Sequence, residues 1–337
     1  MAEAQPQRRR RRIAVEEAFA TTEQFDALRV LVETTTEYDP DLALARHQVD
    51  GTYIKSRRLL DLEGERLQLM DEAGIDLALL LLTAPGVQMF EPRLAADMSR
   101  RINDGLAELI GRHPGRFAGL AVIAPQAPAA AVREIERAIG SLKLSGIVVN
   151  SHTDGEYLSE QKYWPILEAA EAAGAPIYIH PRAPTPLMAK AYRTDRLEHA
   201  IWGFQAETGL HGLRLITGGM FDRFPKLQIV LGHAGEGIPF WLDRIDLMHT
   251  RPRGRPALQR KPSDYFRSNF AVTTSGMNWH VNVRFLIEAL GADRIMFAAD
   301  YPYQDMDTEV ALMDSAPISE EDRDKIYFGN AERIFGL

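Results

Sequence analysis

The sequence predicts an α/β fold of the (β/α)8, TIM-type barrel class. Three observations predict it: eight short apolar runs, amphipathic stretches between them, and no G-x-G-x-x-G or G-K-S/T loop to mark a nucleotide-binding sheet. The runs are Ile13–Val15, Leu77–Leu82, Phe117–Ile123, Gly146–Val149, Ile177–Ile179, Gln228–Leu231, Phe270–Val272 and Ile295–Ala298. Each is apolar on both faces and rich in branched residues, as a strand covered on both sides of a parallel sheet must be. An open doubly wound sheet is the alternative, and eight strand–helix units favour closure.

The stretches between the runs carry helix spacing. Leu94, Met98, Ile102, Leu106 and Ile110 recur every four residues and stop before Gly111 and Pro114. Val132, Ile135, Ile139 and Leu142 follow the 3-4-3 step of one buried face. Trp164, Leu167 and Ala170 repeat the pattern ahead of Gly174 and Pro176. Residues 21–58 form a long insertion after the first strand, with Thr34-Thr35-Thr36 and Asp39-Pro40 inside it. A loop of that length at the top of a barrel reads as a lid or a subunit contact.

The chain has 337 residues, and barrels of this class run past about 250 residues as one domain. Hydrophobic residues make up 45% and charged residues 26%, enough for a large core. There is no cysteine, which excludes disulfides, thiolate nucleophiles and Cys-ligated metals. A net charge of −8 and a pI near 5.7 argue against a nucleic-acid partner. Arg8–Arg12 read as part of a disordered basic tail over residues 1–12, ahead of a single barrel domain over 13–337. Glu16 and Glu17 interrupt any signal-peptide core, and no apolar run approaches the roughly 18 residues of a membrane span. A soluble, cytoplasmic protein without a membrane partner is expected.

Active sites of such barrels lie at the C-terminal ends of the strands. There the first strand offers Glu16, the fifth His180, the sixth His233 followed by Glu236, and the eighth Asp300. Singly, each reads as a surface acid, a core histidine or a turn residue. Four ionisable groups at one level of one ring read as a metal site. Carboxylate and imidazole suit Mn²⁺, Zn²⁺, Fe²⁺ or Mg²⁺, and three protein ligands leave positions open for a substrate. His47, His113, His152, His199, His211, His249 and His280 read as ordinary core or loop residues. The three-residue spacing of His233 and Glu236 lets the carboxylate hold one imidazole nitrogen. Arg244, farther along, is placed to pair with Glu236, to meet an anionic substrate, or to form a surface ion pair.

These residues also carry a resemblance. VEEAFAT (15–21), TAPGVQ (83–88), VNSHTDGEYL (149–158), IYIHP (177–181), the stretch 203–237 ending LGHAGEG, and AADYPYQ (298–304) resemble the amidohydrolase-superfamily nonoxidative decarboxylases of hydroxybenzoates. The likeness is greatest to those acting on 5-carboxyvanillate, with the 2,3-dihydroxybenzoate and γ-resorcylate enzymes as relatives. It covers residues 13–337 and implies an amidohydrolase-like barrel that binds one divalent metal per subunit, Mn²⁺ first, with Zn²⁺ or Mg²⁺ as alternatives. Carried over by position, Glu16, His180 and Asp300 are the metal ligands. Asp300, His233 and Glu236 are the catalytic group, and Arg244, His180, Arg182, Phe204 and Tyr303 meet the substrate. The partner implied is a small aromatic acid, and the chain is expected as a homodimer or homotetramer.

Hydrolases of the superfamily carry His-x-His on the first strand, where this chain has Glu16 and Ala18. Other departures are Arg182 in place of a small residue, Asp243 in place of an aromatic one, and Gly51 near the place of an arginine lent across subunits. Arg46, Arg57 and Arg58 are the candidates for that arginine. The implied chemistry is loss of CO₂ from an ortho-hydroxy aromatic acid, with Asp300 protonating the ring carbon and His233 orienting the carboxylate. The rival readings are a metal-dependent lactone or amide hydrolase with His233 as base, and a catalytically inert barrel serving as an interaction module.

Overall fold

The computed structural model describes residues 9–250 and 257–337. Its strands are β1 (Ile13–Phe19), β2 (Leu77–Leu82), β3 (Phe117–Val122), β4 (Gly146–Asn150), β5 (Ile177–His180), β6 (Ile229–Leu231), β7 (Phe270–Thr273) and β8 (Ile295–Met296). They pair in sequential order, every pair parallel. The remaining seam is stitched by Val15 N–H donating to the Phe297 carbonyl at 3.1 Å and Ala18 N–H to that of Tyr301 at 2.8 Å. All eight expected strands are present, and their residues are buried throughout because helices cover the outside of the ring.

Two strands differ from expectation by more than one residue. β1 runs four residues past Val15, so Glu16 lies inside it, and its register on β2 shifts between Ala14 and Glu17. Such a bulge breaks strict alternation and lets consecutive side chains be re-aimed. The β8 ladder ends at Met296, and the chain reaches Asp300 through an extension held by β1.

The insertion is helical: α1 (Thr22–Thr34), α2 (Pro40–Val49) and α3 (Ile54–Leu60), followed by α4 (Glu65–Ala73). Asp39 starts α2, its Oδ1 accepting from Leu42 N–H at 3.0 Å with Pro40 in the first turn. In α5 (Pro92–Arg112), Leu94 is exposed whereas Ala95, Met98, Ile102, Leu106 and Leu109 are buried. A strict four-residue repeat drifts about 40° per step around a 3.6-residue helix, so the buried stripe shifts between registers. In α6 (Pro128–Gly140) the buried face is Ala131, Glu134, Ile135 and Ala138, with Val132 and Ile139 only partly covered and Leu142 beyond the helix end.

Arg9–Arg12, expected within a disordered tail, are instead held by acids. Arg9 pairs with Asp76, Arg10 with Glu320 and Asp324, Arg11 with Glu332, and Arg12 with Asp314 at 2.7 Å. Residues 1–8 lie outside the described residues. On the barrel's flank, helices Ile238–His249 and His280–Leu290 leave Phe240, Trp241, Leu247 and Phe285 exposed, with Trp279 beside them. The Phe240 ring packs 5.2 Å from Trp241 and 6.1 Å from Phe285.

Candidate metal centre and active site

Glu16 is fully buried, and its two oxygens have different surroundings. Oε2 accepts from Thr273 Oγ1 at the end of β7 at 2.8 Å. Oε1 has no hydrogen-bond partner. It lies 3.9 Å from His180 Nε2 and 4.0 Å from His233 Nδ1. Asp300 Oδ2 is 4.0 Å from His233 Nε2. Ligand atoms of Glu16, His233 and Asp300 all fall within 4.8 Å of one another. Barrel closure therefore brings all four strand-end groups together, from positions up to 284 residues apart.

Gly232 permits this crowding. A Cβ there would sit 2.6 Å from Glu16 Oε1. The following turn is more unusual: His233, Ala234, Gly235, Glu236 and Gly237 all have positive φ, from 45° to 77°. L-residues visit that region singly as a rule, so His233, Ala234 and Glu236 together, with two glycines among them, mark a strained left-handed turn. It folds Glu236 back, and His233 Nδ1 lies 3.0 Å from Glu236 Oε1.

The two histidines are prepared differently. His180 Nδ1 donates to Asn150 Oδ1 at 2.9 Å, which leaves the Nε2 lone pair facing Glu16. Burial pulls the His180 pKa down to about 4, so the ring is neutral. At His233 burial acts in the same direction, but the carboxylates of Glu236, Glu16 and Asp300 outweigh it and raise the pKa to about 10. Burial holds Asp300 well above the usual carboxylate range, with Glu16 and Glu17 adding to it and His233 and Lys55 opposing. Glu236 is likewise raised by burial and opposed by His233.

The residues present fit a divalent cation. A buried carboxylate oxygen without a partner, a neutral imidazole with its lone pair directed at that oxygen, and a second carboxylate beside them form a hard-to-borderline donor set. Mutual distance alone would group His233 with Glu16 and Asp300. His180 has its Nδ1–H committed to Asn150 and its Nε2 toward Glu16, whereas His233 Nδ1 is engaged by Glu236.

The other expected site residues are placed less uniformly. Arg182 is buried and spends Nε at 2.9 Å and Nη2 at 2.5 Å on Asp41 Oδ2, and Nη1 at 2.7 Å on the His152 carbonyl. Its donors fasten α2 to the barrel mouth. Tyr303 shares a 2.6 Å hydrogen bond with Thr83 Oγ1, and Lys55 Nζ donates to its carbonyl at 2.9 Å. Phe204 is half-buried, its ring 5.8 Å from that of His199. Arg244 is exposed and, among the described residues, has no acid within 4.0 Å, Glu236 included. Arg57 and Arg58 pair with Glu65, and Arg46 Nη2 donates to the Val32 carbonyl at 3.4 Å.

Sequence reasoning missed the groups that hold the site in place. Gln88 Oε1 accepts from Asn150 N–H at 2.6 Å while its amide donates to the carbonyls of Asn150 and His152. Glu17, fully buried, accepts from Ala299 N–H at 2.9 Å and Tyr301 N–H at 3.3 Å. Burial raises its pKa to about 7, against the opposing Ala299 amide and Arg66. The available signal was the second acid of Glu16-Glu17 in an otherwise apolar strand. His152 and His211, expected as ordinary core or loop residues, are both buried: His211 Nε2 accepts from Leu158 N–H at 3.2 Å, and His152 Nε2 donates to the Ala183 carbonyl at 3.0 Å.

The whole chain is also similar to proteins of known activity and structure. The chain is 38% identical to the γ-resorcylate decarboxylase of Polaromonas sp. strain JS666, covering 97% of this chain and 98% of that one. The crystal structure of 5-carboxyvanillate decarboxylase from Sphingomonas paucimobilis superposes with a TM-score of 0.95 at 46% identity, covering 98% of this chain and 100% of that one. The Novosphingobium aromaticivorans 5-carboxyvanillate decarboxylase, complexed with manganese and 4-hydroxy-3-methoxy-5-nitrobenzoic acid, gives 0.94 at 40% identity over 97% and 96%. The amidohydrolase family signature spans residues 36–337, and the chain belongs to that family.

Proposed function

We infer that the protein is a metal-dependent, nonoxidative decarboxylase of ortho-hydroxy aromatic carboxylic acids, a carboxy-lyase releasing CO₂ and a phenol. The observation that carries this reading is the first-strand pair. Glu16 supplies a buried carboxylate, and Ala18, buried in the same strand, stands where a hydrolase would place an imidazole. Two nitrogen donors fewer, one of them replaced by a carboxylate, make a weaker generator of hydroxide and leave positions for a chelating substrate. The full-length likeness to decarboxylases of γ-resorcylate and 5-carboxyvanillate supports the same choice.

Glu16, His180 and Asp300 would hold the ion, manganese first. When bound, it supplies a Lewis acid toward the substrate's carboxylate and ortho-oxygen. His233, fixed by Glu236, presents a positive charge that orients the carboxylate. Asp300 takes the phenolic proton as the substrate binds and delivers it to the ring carbon bearing that carboxylate. The C–C bond then breaks, its electron pair restores the aromatic ring, and CO₂ departs. Phe204 and Tyr303 line the ring's side of the mouth, and Arg244 meets an anionic substituent at its rim. Arg182 acts by holding α2 over the opening through Asp41.

The exposed apolar face of Phe240, Trp241, Leu247 and Phe285 supports assembly with a second copy of the chain, as a homodimer or a homotetramer. No described helix is long and apolar enough to cross a membrane, and we place the enzyme in the cytoplasm. The test is a panel of ortho-hydroxylated benzoates assayed after reconstitution with Mn²⁺, Zn²⁺ or Mg²⁺. Stoichiometric CO₂ and phenol are expected. Hydrolysis of a lactone or amide without CO₂ release overturns the reading.

A further inference from the structure

One buried carboxylate beside the site has no part in the chemistry above. The β1 bulge leaves Glu16 directed across the barrel to Thr273 and Glu17 directed along the seam to the chain after β8. There Glu17 Oε1 accepts from Ala299 N–H at 2.9 Å and Oε2 from Tyr301 N–H at 3.3 Å. These are the two amides that flank Asp300, which itself adopts a left-handed conformation with φ 66°. Aspartate tolerates that region better than most residues but still needs its surroundings to impose it. Arg66 completes the bracket. Its guanidinium lies 4.8 Å over the Tyr301 ring, and Nη2 donates to the Ala18 carbonyl at 2.6 Å, one residue past Glu17.

We propose that Glu17 is a positioning residue for Asp300. One carboxylate takes both flanking amides, fixes the left-handed turn between them, and so directs the Asp300 side chain toward Glu16 and His233 before any ion arrives. Backbone carbonyls of a longer β8 would satisfy the same amides in an extended strand, with Asp300 turned elsewhere. Glutamine cannot replace the carboxylate, because its NH₂ would face one of the two N–H groups. The proposal shares with the decarboxylase reading the assignment of Asp300 as ligand and proton donor.

The test titrates metal-free protein with Mn²⁺ and follows the free ion by EPR. Glu17→Gln is expected to bind roughly ten- to hundredfold more weakly than the parent, as loss of a support behind a ligand does. Glu309→Gln is the control, since Glu309 is also buried near this seam but accepts from Asn278 and touches neither flanking amide. It should lower the thermal midpoint while leaving Mn²⁺ affinity at the parent value. Parent-like affinity in folded Glu17→Gln overturns the proposal, and so does equal weakening by Glu309→Gln. If Glu17→Gln does not fold, hydrogen exchange in the metal-free parent decides. The Ala299 and Tyr301 amides should exchange on the order of a hundredfold more slowly than in free peptide, and unprotected exchange there overturns the clamp. A parent that binds Mn²⁺ but releases no CO₂ refutes the decarboxylase reading alone.

Discussion

The Nδ1–H of His180 points into the amide oxygen of Asn150, 2.9 Å away, and Asn150 is itself held by Gln88 through its backbone. This chain of contacts sets which imidazole nitrogen faces Glu16. Asn150→Leu removes the acceptor and frees the ring to turn. The expected result is an affinity for Mn²⁺ lower by about 10- to 100-fold, with circular dichroism unchanged. Isothermal titration calorimetry on metal-free protein checks it.

Asp300→Asn keeps the shape of the side chain and removes the proton. With Mn²⁺ at saturating concentration, kcat should fall by about 10²–10⁴-fold, the usual contribution of a general acid. KM should change far less. Metal content measured alongside separates loss of the proton donor from loss of the ligand.

His211 predicts a pH dependence of stability away from the metal centre. Burial is the main cause that lowers its pKa from 6.5 to about 3, with Arg214 adding to it. The folded pKa is below the unfolded one, so this contribution is complete above pH 6.5 and is lost as pH falls toward 3. At about 1.4 kcal/mol per pH unit, His211 alone should cost about 2 kcal/mol between pH 6.5 and 5. Denaturant titrations at both pH values should show His211→Asn losing less stability over that interval than the parent.

The arginines of the N-terminal segment form a salt-sensitive strap. Each pair is largely exposed and is worth at most about 1 kcal/mol, but they join residues 9–12 to helices near the C-terminus. Replacing Arg9, Arg10 and Arg11 with Gln should lower Tm by about 1–4 °C at low salt. In about 1 M NaCl, where the Debye length is near 3 Å, the difference should largely vanish. Differential scanning calorimetry at the two ionic strengths checks both halves.

The barrel was legible because β2 or β5 announces itself locally, as branched residues that only burial on two faces explains. Glu16, His180, His233 and Asp300 were legible for a related reason: each polar residue interrupts an apolar run where the topology places the mouth. What escaped notice was non-local. Asn150 looks like any strand-end residue until β5 lies beside it, and Arg9–Arg12 look solvated until Asp76, Asp314, Asp324 and Glu332 arrive from distant sequence. Glu17 was visible as a letter but not as a clamp, since its partners are main-chain amides that no side-chain pattern reports. Position 182 misled because an arginine two residues after His180 at a strand end invites a substrate, whereas Asp41 from the insertion occupies it.

The left-handed turn at 233–237 also bears on how the enzyme can change. Branched side chains are excluded from five adjoining positions by their own main-chain sterics, and at Gly235 even a methyl group would press within 2.8 Å of Val272. Mutational drift toward new aromatic acids is thereby closed to the rim that carries His233. Altered specificity has to arise on the opposite rim, from α1–α3, where surface helices tolerate replacement. A library confined to those helices should yield active variants at a far higher frequency than one confined to the turn.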